Sequence, residues 1–220
     1  AADVLLPGSS MSHIGGFLFG FSALSRGARV LVAMSYDGEG VLPLLRDGRP
    51  TMLCMIPAAL FTVVRDGHAQ RDDFASLRLV RSGSDKVPAE LEAEFTALTG
   101  RVIDEGYGCT EAGLVTLSPP SGRIVAGSIG RALPGFDLSV RDDDGNEVGP
   151  GVDGNLWIRG GALMAGYWSD PKATGTVFAD GWFDSGDRMT VDDDGYLWFH
   201  GRRKQIIVHD GSNIFPQEVE

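Results

Sequence analysis

Over its first 120 residues the chain alternates short β-rich runs with helical patterns, which is the signature of βαβ units on a mostly parallel sheet. Strands are expected at residues 28–33 (ARVLVA), 51–56 (TMLCMI), 77–81 (LRLVR) and 101–104 (RVID), with an earlier one beginning at Val4. Helices are expected at residues 58–65 and 88–98. The second opens with Pro88 in its first turn, spaces Leu91, Phe95 and Leu98 along one face, and stops at Gly100. Beyond Pro120 the pattern changes to short strands separated by Asp/Asn/Gly turns, with no long helix. The reading is therefore α/β: a mostly parallel sheet with flanking helices at 1–120, followed by a smaller β-rich subdomain.

Charge narrows the partners. With 19 Lys and Arg against 30 Asp and Glu, the net charge of -11 includes no basic run, so nucleic acid and anionic membrane surfaces are disfavoured. Cys54 and Cys109 lie far apart without CxxC spacing, which reads as two free thiols in a reducing, cytoplasmic setting. The apolar stretch 14–24 contains Gly15, Gly16, Gly20 and Ser22. It is shorter than the roughly 20 residues a membrane span needs, so no transmembrane segment is expected.

The chain has no GxxxxGK[ST] loop, GxGxxG turn, HExxH or GxSxG, which removes the P-loop, Rossmann, zincin and hydrolase readings. Four other segments could carry chemistry. Residues 106–113 (GYGCTEAG) follow a strand and lead toward a short helical or irregular stretch. The glycines let backbone approach a flat ligand, Tyr107 offers a stacking face, Thr110 a hydroxyl for a phosphate, and Glu111 a carboxylate for a hard cation such as Mg²⁺. The plain alternative is a turn. Residues 182–188 (WFDSGDR) place Asp187 after a Ser-Gly turn, where a carboxylate can accept from both ribose hydroxyls; the alternative is a solvated turn aspartate. Residues 201–220 offer Arg202 as a fixed cation, beside an Arg203 that could simply be solvated. Residues 7–16 (PGSSMSHIGG) centre on His13, and a lone histidine is more often structural. The acidic runs 142–146 and 192–195 lack the ligand spacing of a calcium loop and read as hairpin turns.

Taken in order, these segments resemble the AMP-forming acyl-CoA synthetases of the adenylate-forming superfamily, and the resemblance runs along essentially the whole chain. Residues 106–113 are similar to the family's YGxTE motif, and Ser82 and Gly83 to its adenine-side Ser-Gly turn. Residues 127–135 (GSIGRALPG) match the segment after it. Residues 157–167 and 180–187 (DGWFDSGD) match its IRG, GY and DGW stretches, with Ser185 in place of the usual Thr; residues 201–220 match its hinge segment.

The resemblance implies a β-rich part at 121–203 folded as a distorted barrel, and a hinge plus the start of a small C-terminal α+β domain at 204–220. It implies that Tyr107 packs on adenine, with backbone from Ser82, Gly83, Ser84 and Gly106 lining the ring. Thr110 would touch the α-phosphate, Glu111 hold Mg²⁺, Asp187 grip the ribose with Arg202 assisting, and Lys204 sit at the hinge. His13 would lie near the acyl carboxylate, and Gly211 on the strand flanking the coenzyme A tunnel. The implied activity is that of an acid-thiol ligase: ATP activates a fatty or aryl acid as acyl-AMP, and the acyl group passes to coenzyme A or to a carrier protein. Amino-acid adenylation is disfavoured because residues 11–17 (MSHIGGF) lack an aspartate for a substrate ammonium. The family's phosphate loop and C-terminal lysine have no counterpart here, so the expectation is an internal fragment, inactive alone; a non-catalytic nucleotide-binding piece is the remaining alternative.

Overall fold

The computed structural model describes residues 3–65, 68–120, 123–205, 207–209 and 212–214. Its first part alternates β1 (Val4–Gly8), α1 (Ile14–Ser25), β2 (Arg29–Val30), α2 (Gly38–Gly48), β3 (Met52–Met55), α3 (Pro57–Arg65), β4 (Leu79–Ser82), α4 (Ala89–Thr99) and β5 (Asp104–Glu105). The strands form one parallel sheet in the order β2-β1-β3-β4-β5. The order reverses between β1 and β3, and in such open sheets ligands bind outside the carboxyl ends of the strands at that switch point.

Side chains alternate across each strand and so build two layers of core. Leu6, Leu53, Met55 and Val80 face Val41, Leu45, Leu60, Val63, Leu91 and Phe95 from α2, α3 and α4. On the opposite face, Leu5 and Cys54 meet Phe19 and Ala23 of α1. Phe74 and Phe95 pack edge to face, 5.4 Å between centroids.

Several elements differ from expectation. The run 28–33 pairs only at Arg29 and Val30, opposite Val4 and Leu5 of β1; beyond that, Val32 is 60% and Met34 97% exposed, with no strand outside them among the described residues. The run 101–104 shifts to Asp104–Glu105, where β4 offers partners in Arg81 and Ser82. Helix α2 was not expected, because two glycines and Pro43 interrupt its pattern. It forms because Asp37 accepts from the Gly40 N–H and because Val41, Leu42 and Leu45 bury together. Pro88 is the N-cap of α4 rather than a first-turn residue, while Gly100 closes the helix in the left-handed conformation (φ 71°) as its place in the sequence implies.

Antiparallel strands follow. β6 (Tyr107–Cys109), β7 (Gly113–Leu117) and β8 (Arg131–Ala132) form a three-stranded sheet. The stretch after Gly-Tyr-Gly is thus the second arm of a hairpin, not a helical or irregular segment. A curled sheet then forms from β9 (Phe136–Arg141), β10 (Gly154–Gly160), β11 (Phe178–Ala179), β12 (Trp182–Val191) and β13 (Leu197–Arg202), with the short α5 (Pro171–Val177) between β10 and β11. Register shifts at Asn155/Trp157 and Arg188/Met189 bend its long strands, giving the half-barrel curvature. Its core joins Leu156, Ile158, Phe183, Met189 and Leu197 to Tyr107, Ala112 and Val115 of the hairpin.

The acidic runs are turns: Asp142 accepts from the N–H groups of Asp144 and Asn146, and Asp192 from those of Asp194 and Tyr196. The last pair, β14 (Ile207–His209) and β15 (Ser212–Ile214), is antiparallel. The sequence also offers Pro216 as the first residue of a helix, and that residue lies outside the described ones. Among the described residues no helix is long and apolar enough to cross a membrane.

Candidate functional site

The loops leaving β4 and β5 are locked to each other. Ser82 donates to the Met55 carbonyl (2.8 Å), and the Gly106 N–H donates to the Ser82 carbonyl (3.2 Å). A Cβ on Gly83 would stand 2.9 Å from the Gly106 oxygen, so only glycine lets the two loops approach. Ser84 takes φ 73°, a left-handed conformation uncommon for a side-chain-bearing residue, which turns the chain away from the strand end.

The hairpin continues from Gly106. A Cβ on Gly108 would lie 2.3 Å from the Gly113 oxygen, so this glycine is required by the pairing of β6 with β7 before any ligand is considered. At the turn Thr110 is exposed and Glu111 half-buried. Tyr167 donates its hydroxyl to Glu111 Oε1 (3.0 Å), and the Met164 N–H donates to the Glu111 carbonyl (2.7 Å). The Tyr167 phenol is raised by its own burial and by that carboxylate. Tyr167 was visible only as the end of the Gly-Tyr match; nothing local in the sequence ties it to Glu111, 56 positions away.

Asp187 is built by three segments. The pairing of β12 with β13 sets Arg202 directly opposite it, and Arg202 Nε lies 3.4 Å from Asp187 Oδ1. Tyr107, 80 positions earlier, donates its hydroxyl to Asp187 Oδ2 at 2.6 Å. Ser185 explains its place in the loop: it accepts from the Asp187 N–H (3.2 Å) and donates to the Leu156 carbonyl (2.8 Å). Asp187 is only 3% exposed and is no solvated turn residue. Burial raises its carboxyl above the usual range, against the opposing pull of the Tyr107 hydrogen bond and the Arg202 charge. Its Oδ1 is buried with no hydrogen-bond partner among the described residues, because the Arg202 ion pair does not meet hydrogen-bond geometry. A buried carboxylate oxygen left open is costly unless something donates to it.

The Tyr107 ring, 9% exposed, stacks near Phe199 with centroids 6.5 Å apart. Its phenol is held well above its ordinary value by burial and by the Asp187 charge. Arg203 is not simply solvated: it donates to Asp184 Oδ2 at 2.8 Å, which steadies the turn before Asp187.

The other expected residues are more dispersed. His13 caps α1, its Nδ1 accepting from the Gly15 N–H (3.2 Å), which leaves Nε2 to carry the proton of the neutral ring. Lys204 is exposed in the single turn 203–205 that follows β13. Gly211 lies outside the described residues.

A cavity of about 70 Å³ opens at the carboxyl ends of β1, β3 and β4, the switch point of the sheet. Ile14, Leu18, Phe19, Met55 and Leu114 make it largely apolar, while Gly83, Gly106 and Gly108 border it on the hairpin side. Cys54 also lines it, its thiol pushed up to about 12 by burial and therefore protonated at neutral pH.

The sequence pattern of the AMP-binding enzymes matches residues 1–168. The chain is 35% identical to the indoleacetate–CoA ligase of Aromatoleum aromaticum over 223 aligned residues, covering 100% of this chain and 44% of the ligase. It is 44% identical over 149 residues to a long-chain-fatty-acid–CoA ligase of Yersinia pestis, covering 67% of this chain and 26% of that protein. The ATP-bound crystal structure of MatB from Rhodopseudomonas palustris aligns with a TM-score of 0.90 at 30% identity, over 100% of this chain and 44% of MatB. The chain thus spans less than half the length of these relatives.

Proposed function

The chain belongs to the AMP-binding enzymes, and from that premise we propose that the protein carrying it activates a carboxylic acid with ATP and transfers the acyl group to the thiol of coenzyme A. The observation that carries this reading is Asp187: a buried carboxylate, fixed by Tyr107 and flanked by Arg202, with one oxygen unpaired among the described residues. That oxygen can accept from a vicinal diol, and a ribose supplies one.

Around it the remaining roles follow. The Tyr107 side chain and the backbone of Ser82, Gly83, Ser84 and Gly106 border the adenine. Thr110 donates to an α-phosphate oxygen, and Arg202 adds positive charge at the ribose. The carboxylate of Glu111 fits a magnesium ion, since Tyr167 occupies Oε1 and leaves Oε2 as a hard oxygen ligand. Such an ion would spread the charge of the phosphates.

The acid lies in the apolar cavity with its carboxylate toward His13 and Thr110. A carboxylate oxygen attacks the α-phosphorus, pyrophosphate leaves, and the thiol later displaces AMP from the acyl carbon. The chain contributes mainly by positioning and by placing donors where phosphate charge develops. Lys204, in the turn after β13, is the pivot about which a following domain moves between the two half-reactions. Gly211 belongs to the path of coenzyme A. Both fatty and aryl acids fit a largely apolar cavity, a carrier protein is the competing acceptor, and two free thiols suit a cytoplasmic site.

The test is pyrophosphate release by the full-length protein with ATP, magnesium and a panel of fatty and aryl acids, followed by acyl-CoA detection. Release that needs an acid, and acyl-CoA formed on adding coenzyme A, is the expected result. AMP binding without release for any acid would reduce the protein to a nucleotide binder; acyl transfer only to a carrier protein would reassign the acceptor.

A further inference from the structure

We propose that the cavity selects acids bearing a neutral hydrogen-bond acceptor, a hydroxyl or carbonyl oxygen remote from the carboxylate, and that Arg81 reads it. This rests on the acid-activating function above, because it names what the cavity holds. Among the described residues Arg81 is the only charged residue lining a largely apolar wall. It sits on β4 next to Val80, whose side chain enters the α2–α4 core, so Arg81 projects to the other face. Cys54 is on that same face, and the Arg81 charge acts on its thiol.

Arg81 is paired through a single contact. Its Nε donates to Asp104 Oδ2 at 2.8 Å, a contact set by the register of β4 with β5. Neither terminal nitrogen donates to any described residue, and Asp104 Oδ1 is buried without a partner. Some ion pairs in the same molecule are two-pronged: Arg46 grips both oxygens of Asp73 at 2.7 and 3.1 Å, and Arg78 both oxygens of Asp3 at 3.1 and 2.8 Å; Arg203 meets Asp184 through one contact, as Arg81 meets Asp104.

Arg81 holds one point of contact and leaves its terminal donors without a described protein partner, although its side chain is only 19% exposed. Those donors still reach water, and an apolar acid that displaces the water without offering an acceptor would leave them unsatisfied, which is costly. The sign of that acceptor follows from Asp104, only 1% exposed, which already neutralises the guanidinium. A second carboxylate would bring unbalanced charge into an apolar wall, whereas a neutral oxygen adds none.

The experiment compares matched acids on the full-length protein: cinnamate with its para-hydroxy derivative, and decanoate with its omega-hydroxy and omega-carboxy derivatives. The wild type is expected to favour the hydroxylated member of a pair by roughly tenfold or more in kcat/KM. Arg81→Met should bring that ratio to about one. Because this variant leaves Asp104 unpaired, Arg81→Met with Asp104→Leu is measured beside it, and the ratio rather than the rate is read. Equal activation of plain and hydroxylated acids overturns the inference alone. Preference for the omega-dicarboxylic acid overturns the neutral-acceptor assignment, and pyrophosphate release with no acid at all overturns the inference together with the function beneath it.

Discussion

Asp187→Asn separates the proposed ribose-binding role of this carboxylate from its structural one. The amide keeps the side-chain shape and an oxygen that can still accept from the Tyr107 hydroxyl, now 2.6 Å from Oδ2. It removes the charge from the open oxygen. Hydrogen bonds to charged groups contribute about 1.5–3 kcal/mol each, so losing one charged contact to a ribose hydroxyl should weaken AMP binding roughly 10- to 150-fold.

Folding should suffer far less. Burial already disfavours the ionised carboxyl of Asp187, so a neutral amide escapes that penalty. The ion pair given up reaches only to Arg202, whose side chain is 66% exposed and screened by water. The assay is calorimetric titration of the full-length protein with AMP and with AMP lacking both ribose hydroxyls, on wild type and variant, with Tm recorded for each. In the wild type the loss of the hydroxyls should match the loss caused by the substitution, and the two losses should not add. Wild-type AMP affinity in a folded Asp187→Asn protein, or fully additive losses, would refute the assignment of Asp187 to the ribose.

Three further outcomes are expected. Glu105 is 4% exposed, with its carboxyl raised from the usual 4.5 to about 7, chiefly by burial, against the opposing N–H of Val87. Between those pH values the unfolded chain has shed a proton that the folded one retains, so stability falls as pH rises. The full cost is on the order of 3 kcal/mol; Glu105→Gln should flatten this slope in denaturant titrations at pH 5 and 8, and an unchanged slope would count against the buried carboxyl as its source. Tyr167→Phe removes the hydroxyl that orients Glu111 and should raise the magnesium needed for half-maximal pyrophosphate release several-fold, leaving the KM for the acid in place; a shift in acid KM alone would contradict this. Gly108→Ala forces a Cβ to within 2.3 Å of the Gly113 oxygen and should cost about 1–3 kcal/mol in unfolding free energy; a variant of wild-type Tm would show that the hairpin can open there.

Much of this architecture was legible because it is local. The apolar runs of β3 and β4 and the spacing of Leu91 and Phe95 on α4 are set by neighbours a few positions apart. Gly100 declares a helix end through its own backbone preference. The motif segments at Gly106 and Asp187 could likewise be picked out, since each brings glycines, hydroxyls and a carboxylate together within a few positions. Helix α2 was hidden for the same reason in reverse: Gly38, Gly40 and Pro43 lower its local propensity, and only burial of Val41, Leu42 and Leu45 against the sheet recovers it.

Contacts between distant segments were another matter. Composition and order determined that this chain would build a parallel sheet followed by antiparallel strands, because alternating apolar runs and turn residues act over a few positions. The tertiary structure alone decided that Arg202 would face Asp187 through strand register, that Tyr107 would anchor it across 80 positions, and that Tyr167 would hold Glu111. It alone left Arg81 with open donors on an apolar wall. Hydrogen bonds of this kind depend on register, bulges and packing to within an ångström, and no short stretch of sequence carries that information.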